Sequence, residues 1–549
     1  MRRRPTRERM SSGRFHSSTA GARRRPLAPL ACLAGLFGLV ACDRPSQPSG
    51  AVQPVAAQGA AKPAARVSGA QRLAAIPAQP APAVNVVLFL IDTLRADRMS
   101  LYGHDRETTP FIDSLAPESV VFDQAQAPAP WTLPSVCSIM TSTFACEHGV
   151  IVDGQKIPAE LLTLPELLRA VGYHTAQFYA NGYAGSTSGL DRGFDVSRRE
   201  TATTGDQIRS WLAERPAERP FFLYVHNVEP HQPHHAPANF VRRFGEVKPR
   251  VVKKLRALRS QYKRSLRADW TRGQQRGTTD NSAAQQKKIA ALDDVLDDHF
   301  LLYDAAVRYA DRNVRSVVRE LRAAGVFDDC LFILLSDHGE ELAEHGGYLH
   351  AQSVYDELAR VPLLIRFPAA RFGGRRVAPP VSLIDVVPSV CEYLARPDLL
   401  AQARGRSLLP LLESAAAPDS VRVTTVRINE KDYFKPWSEA RGDINLAMRR
   451  GAWKGVFNMQ LGTLELYDVL ADAAERNDLS AAPERREEAD AFRTFAHDWY
   501  AQCMAENKQT GAGGLQDLSE EDLRQLAALG YVDLPGQDQD SEGEPNTAP

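Results

Sequence analysis

The chain has 549 residues, 44% of them hydrophobic and 24% charged, with a formal net charge of −1. That length accommodates one large core with a smaller appended domain, or two ordinary domains. The composition is that of a folded soluble protein, and the balanced charge excludes a globally basic nucleic-acid or membrane-surface role.

An arginine-rich stretch up to Arg25 precedes a short apolar run, Pro29 to Val40, that leads into Leu39-Val40-Ala41-Cys42. A basic region, an apolar region and a small residue before the cut form a secretory signal. The run is short for a transmembrane helix. The cysteine directly after Leu-Val-Ala resembles a bacterial lipobox, which implies cleavage before Cys42, lipidation of its thiol and anchoring to a periplasmic or cell-surface membrane. An uncleaved anchor or a plain signal peptide is the alternative. Residues 1–41 are therefore expected to be a lipoprotein signal peptide. Residues 42–83, rich in Ala and Pro, are expected to be a disordered tether. Of the cysteines at 32, 42, 137, 146, 330, 391 and 503, five remain in the mature globular part once the signal and lipidated positions are set aside, and no CxxC pair exists. An exported location permits one or two bridges. Cys137 and Cys146 are closest in sequence, but spacing alone does not pair them.

The folded part opens with Asn85-Val86-Val87-Leu88-Phe89-Leu90-Ile91, a strand apolar after its first residue and ending at Asp92. Strands buried on both faces read this way, which predicts a mostly parallel sheet covered by helices. Thr163, with Pro165 and Glu166 behind it, starts a helix to Ala170. Tyr173 to Tyr179 and Phe221 to Val225 are strands, and Tyr303, Val307, Ala310, Val314, Val317 and Leu321 form one helix face stopped by Gly325. Cys330 to Leu335 and Leu363 to Phe367 are further strands, so the alternation predicts an α/β sandwich over about 84–410. A basic, helix-prone insertion over about 242–288 interrupts it, read as a solvated surface or as a contact for anionic lipid or polymer. Short segments at Val421–Val426, Asn445–Arg449, Trp453–Phe457 and Leu464–Tyr467 predict a small antiparallel sheet in a C-terminal subdomain, 411–500. Residues 501–549 are expected to be a tail, disordered in part.

Three motifs carry chemistry. Asp92 closes a buried parallel strand, where ligands of open α/β sheets bind. Ser336-Asp337-His338-Gly339-Glu340-Glu341 leaves a second strand end with carboxylate and imidazole donors suited to a divalent cation. Pro130-Trp131-Thr132-Leu133-Pro134-Ser135 places a hydroxyl at the mouth of a helix, where free N–H groups favour an oxyanion.

In this order the motifs resemble the sulfatase-like family of the alkaline phosphatase superfamily. The likeness runs from about Val84 to Ser480, through Asn85–Asp97, Trp131–Ser135, Glu229-Pro230-His231, Ser336–Glu341 and Tyr355-Asp356-Glu357 to Trp453-Lys454. It implies that family's sandwich, a mostly parallel central sheet with a small C-terminal antiparallel subdomain. It also implies one divalent metal ion held by Asp92, Asp337 and His338, with the Thr132 oxygen as a further ligand. His231 would lie over the anionic group with His226 near it, His350 would sit by the leaving group, and His345 would touch substrate. Mn, Mg or Zn suits such donors, Ca less well. The implied substrate is an anionic ester, a sulfated or phosphorylated glycan or lipid.

The chain departs from sulfatases at three places. Their nucleophile is a Cys or Ser converted to formylglycine in a motif ending in arginine, whereas here Thr132 and Val136 stand at those positions. Threonine cannot become formylglycine, because its Cβ carries a methyl group. Thr93 replaces the second aspartate after Asp92. Relatives that transfer phosphoglycerol or phosphoethanolamine use a plain threonine, and a metal that lowers the hydroxyl pKa makes that chemistry sound. Three readings follow: a hydrolase or transferase using covalent Thr132, a sulfuric ester hydrolase using metal-bound water, or a non-catalytic tethered binding protein.

Overall fold

The computed structural model describes residues 68–77, 83–510 and 524, apart from 152–153, 201–203, 235, 256, 258–295, 346, 414–420 and 429–443. The expected signal and lipidation site, most of the tether and most of the basic insertion lie outside the described residues.

Eight strands form the main sheet: β1 (Asn85–Ile91), β2 (Val120–Phe122), β3 (His174–Tyr179), β4 (Val196–Arg199), β5 (Phe221–Asn227), β6 (Cys330–Leu335), β7 (Leu363–Arg366) and β8 (Arg375–Val377). Their order is β8-β2-β7-β6-β1-β5-β3-β4. Pairing is parallel except at β7, which runs against both neighbours. The central strand β1 pairs with β5 and β6, each in parallel register. Its two-residue period sends Val86, Leu88 and Leu90 to one core and Val87, Phe89 and Ile91 to the other. Each such side chain contributes roughly 1.5–3 kcal/mol by burial, which is why this run can only be the middle of a covered sheet.

Helices α1 (Thr132–Thr141), α3 (Leu164–Ala170) and α6 (Val386–Tyr393) cover the first face, through Leu133, Val136, Leu167 and Val390. Helices α4 (Gly205–Glu214) and α5 (Leu296–Ala323) cover the second, through Trp211, Val307, Val314 and Leu321. The expected cap of α3 is present, with the Thr163 N–H donating to Glu166 Oε2 at 2.9 Å. Helix α5 ends before Gly325, at φ 69°.

The C-terminal sheet is fully antiparallel, β9 (Arg422–Ile428) to β12 (Thr463–Asp468) through β10 (Ile444–Arg450) and β11 (Trp453–Asn458). It packs on helix α7 (Arg486–Thr510), with Leu446, Met448, Phe457 and Phe492 in one core. Gly455 is required here, since a Cβ would meet the Phe492 ring at 2.7 Å. Helix α7 runs past residue 500, the end expected for this subdomain, because Cys503 bonds Cys146 of the short helix α2 (Ala145–His148). Cys137 is buried as a free thiol. Part of the expected tether is also ordered: Gly69–Ala74 is a helix capped by Ser68, and Leu73 and Ile76 pack on the main core.

A buried ion cluster joins the two sheets. Lys454 on β11 reaches Asp356 Oδ1 at 2.6 Å and Glu475 Oε1 at 2.7 Å with its side chain fully enclosed. Glu475 Oε2 also accepts the Asp356 backbone N–H at 2.6 Å.

Candidate active site at the carboxyl ends of the strands

Parallel strands deliver their following loops to one edge of the sheet, and the expected residues converge there. Asp92 follows β1, Asp337 and His338 follow β6, His226 is the last residue but one of β5 and Thr132 opens α1; all five are fully buried. Ser336 ties two of these loops, accepting the Leu94 N–H at 2.9 Å and donating to the His338 carbonyl at 2.7 Å. Ser135, one turn into α1, donates to the Asp337 carbonyl at 2.7 Å and sets the helix against the same loop.

His338 Nδ1 donates to the Gly339 carbonyl at 2.8 Å, which leaves Nε2 as a lone pair. That nitrogen lies 3.2 Å from Thr132 Oγ1, 3.6 Å from Asp92 Oδ1 and 3.5 Å from Asp337 Oδ2. Asp92 Oδ1 and Asp337 Oδ2 are buried with no hydrogen-bond partner. Two such carboxylate oxygens around an imidazole lone pair are costly unless a cation joins them. Burial would raise the Asp92 carboxyl, but the His226 hydrogen bond and neighbouring histidines hold it well below the usual range. Burial and the Asp92 charge push Asp337 well above that range. A divalent ion between the two carboxylates would offset their mutual repulsion and favour the ionised form of both. Asp92, His226 and Asp337 place donor atoms within 4.8 Å of one another, so His226 joins the set that fits a metal.

Two contributors were not named from the sequence in these roles. Asn181, just past the end of β3, donates through Nδ2 to Asp92 Oδ2 at 2.8 Å and to Thr132 Oγ1 at 3.4 Å. The strand-end rule that flagged Asp92 applies equally to Asn181. His226, expected beside the substrate, stands behind Asp92 instead, its Nε2 3.2 Å from Oδ2 and its Nδ1 2.9 Å from the Tyr224 hydroxyl.

Thr93 does not replace the absent second aspartate as a side-chain ligand. It adopts φ 59°, a left-handed conformation costly for a β-branched residue, and turns its hydroxyl onto the Asp92 carbonyl at 2.7 Å. Its backbone N–H faces Asp337 Oδ1 at 3.3 Å, and Tyr303 donates to its carbonyl at 2.5 Å.

His231 and His350 stand beside this cluster, their ring centroids 5.1 Å apart and that of His350 4.8 Å from His338. His231 donates through Nδ1 to the Gln232 carbonyl at 2.7 Å, and burial lowers its pKa to about 4. His350 Nδ1 lies 3.0 Å from the buried Glu340 carboxylate. His345 is placed elsewhere: one nitrogen meets Glu357, the other lies 3.2 Å from the Glu475 carbonyl, and the ring stacks on Tyr355 at 3.9 Å.

The loop before His231 carries a titratable latch. Glu229 is buried, accepts from Asn313 of α5 at 2.5 Å, and is raised by burial to about 7. A carboxyl raised above its unfolded value of 4.5 favours the fold below pH 4.5 and loses that contribution as pH rises to about 7. Glu229→Gln is therefore expected to remove a fall in unfolding free energy on the order of 3 kcal/mol over that window. Denaturant titrations at pH 4.5, 6 and 7.5 measure it, and parallel curves for both proteins would refute it.

Comparison with known proteins shows what the chain is similar to. The sulfatase family model matches residues 84–395. N-acetylglucosamine-6-O-sulfatase of Bacteroides thetaiotaomicron is 23% identical, over 72% of this chain and 82% of that protein. Among solved structures, BT4656 bound to D-glucosamine-2-N,6-O-disulfate has a TM-score of 0.58 at 19% identity, covering 78% of this chain and 98% of that one. The phosphonate monoester hydrolase of Agrobacterium radiobacter has a TM-score of 0.59 at 20% identity, covering 76% and 96%. The α/β fold and the family match define a sulfatase-type hydrolase. The chain belongs to the sulfatase family.

Proposed function

We propose that the protein cleaves a sulfate or phosphate ester of a glycan or lipid by attack of Thr132 Oγ1 on the sulfur or phosphorus atom. The observation that carries this is the seat of Thr132 at the N-terminus of α1, 3.2 Å from His338 Nε2 and 3.4 Å from Asn181 Nδ2. Asp92, Asp337, His338 and the threonine oxygen would hold a divalent ion, which would supply Lewis acidity to the hydroxyl and to the developing charge, while His226 orients Asp92. Asn181 orients the nucleophile, and the start of α1 offers its positive end to the oxyanion. The proton of Thr132 Oγ1 leaves to bulk water as the hydroxyl attacks, and the Glu340 carboxylate beside Nδ1 holds His350 as the imidazolium, whose other nitrogen gives its proton to the leaving oxygen and returns neutral. Water then releases the acid from Thr132, or an acceptor alcohol takes it. The activities of the relatives, a sugar sulfatase and a phosphonate monoester hydrolase, support sulfur and phosphorus chemistry on this fold.

Export and anchoring through lipidated Cys42 belong to the same proposal, supported by the Cys146–Cys503 bridge, which suits an oxidising compartment. No helix among the described residues is long and apolar enough to cross a membrane.

The test is an assay on aryl sulfate, aryl phosphate and aryl phosphodiester after chelation and readdition of Mn, Mg, Zn or Ca. Chelation is expected to abolish turnover and one ion to restore it. That ion at a hundredfold its Kd should stabilise the fold by about 2.7 kcal/mol, and Asp337→Ala should lose both effects. Full turnover in chelator, or in Asp337→Ala, would contradict the proposal.

A further inference from the structure

At the far end of α1 from Thr132 lies a cavity of about 290 Å³ between α2, the turn at Ile384, the C-terminal sheet and α7. With a rise of 1.5 Å per residue, the ten residues of α1 separate it from the candidate active site by about 15 Å. Its floor is apolar, with Phe144, Ile384 and Val423 buried and Trp499 meeting Phe144 edge-on at 5.5 Å. Its rim carries Arg404, Arg406 and Arg422. Glu147 pairs with Arg404 and Asp385 with Arg422, whereas the exposed Arg406 side chain has no carboxylate within ion-pair distance among the described residues. The cavity thus calls for an occupant that is apolar and acidic together.

The chain itself carries such a segment. Ser519-Glu520-Glu521-Asp522 resembles a helix start, with the acidic residue three after the serine; Leu523, Leu526 and Leu529 follow at spacing three, and Gly530 stops the run. A stripe of three leucines needs a partner surface, and the four residues at its head carry three negative charges. The attachment is favourable. Gln502 and Cys503 of α7 line the cavity, and the seven residues from there to Thr510 lead about 10 Å away. Residues 511–519, extended, span roughly 30 Å, enough to return.

We propose that the segment Leu518–Leu534 docks on this cavity, its leucines on the Phe144–Val423 floor and its acidic head against Arg406. Packed there, the tail adds to the contacts, among them the Cys146–Cys503 bridge and the Lys454 cluster, between the catalytic domain and the C-terminal subdomain.

Hydrogen exchange on the full chain tests it. Amides of 520–532 are expected to exchange at least about tenfold slower than in a synthetic peptide of the same sequence. Arg406→Glu and Leu526→Asp, both outside the candidate active site, should each release that protection while leaving turnover intact. Peptides from 495–503 should lose protection in the same two variants. Exchange of 520–532 at the free-peptide rate, or protection untouched by both substitutions, would overturn the proposal. So would protection that rises with protein concentration, which would assign the cavity to a second copy.

Discussion

Thr132→Ala is expected to lower turnover by at least about 10³-fold on whichever ester the enzyme accepts, with no loss of fold. The side chain is buried at the first turn of α1, so removing its hydroxyl deletes a donor to the metal-fitting cluster without opening the core. A nucleophile contributes more to the rate than any single group that orients it, which is why the effect exceeds that expected for Asn181→Ala. The same variant should still gain stability from the divalent ion, because Asp92, Asp337 and His338 remain. Intact-mass measurement during turnover should show a sulfo or phospho adduct that maps to Thr132 in the parent and is absent from the variant. Turnover within tenfold of the parent would return the threonine to a ligand's role and leave water as the attacking group.

The second large effect lies in the ion cluster that joins the two sheets. Lys454→Met is expected to cost about 3–5 kcal/mol, because it strands Asp356 and Glu475 in a buried site. Arg449 offers only a 3.9 Å contact to Asp356 in compensation. The loss should propagate to His345, which rests on the Glu475 carbonyl. Removing the opposing charge as well, in Lys454→Met with Asp356→Asn, should recover part of the stability. Guanidinium unfolding of the three proteins measures this. A single-variant loss below about 1 kcal/mol would show that water or other cations already screen the cluster.

The absent sulfatase features acquire a physical meaning in the structure. Val136, where the motif arginine would stand, packs in the main core on the buried side of α1. Thr93, in place of the second aspartate, contributes its backbone and a strained conformation to the loop.

Much of the fold is legible in the sequence, because its signals are local. Seven consecutive residues with one polar member dictate a doubly covered β1, and the four-and-three spacing through Tyr303 and Leu321 dictates the face of α5. The strand-end motifs at Asp92 and Asp337 likewise announce a site, since parallel strands deliver their loops to one edge. What only the tertiary structure decided depends on pairs far apart in sequence. Spacing could not join Cys146 to Cys503 across 357 residues. Periodicity could not bring Asn181 onto Asp92 and Thr132, or turn His226 behind Asp92 while His345 faces the C-terminal subdomain. Those outcomes follow from strand order and from which buried polar groups must find partners, and both exist only once the chain has closed on itself.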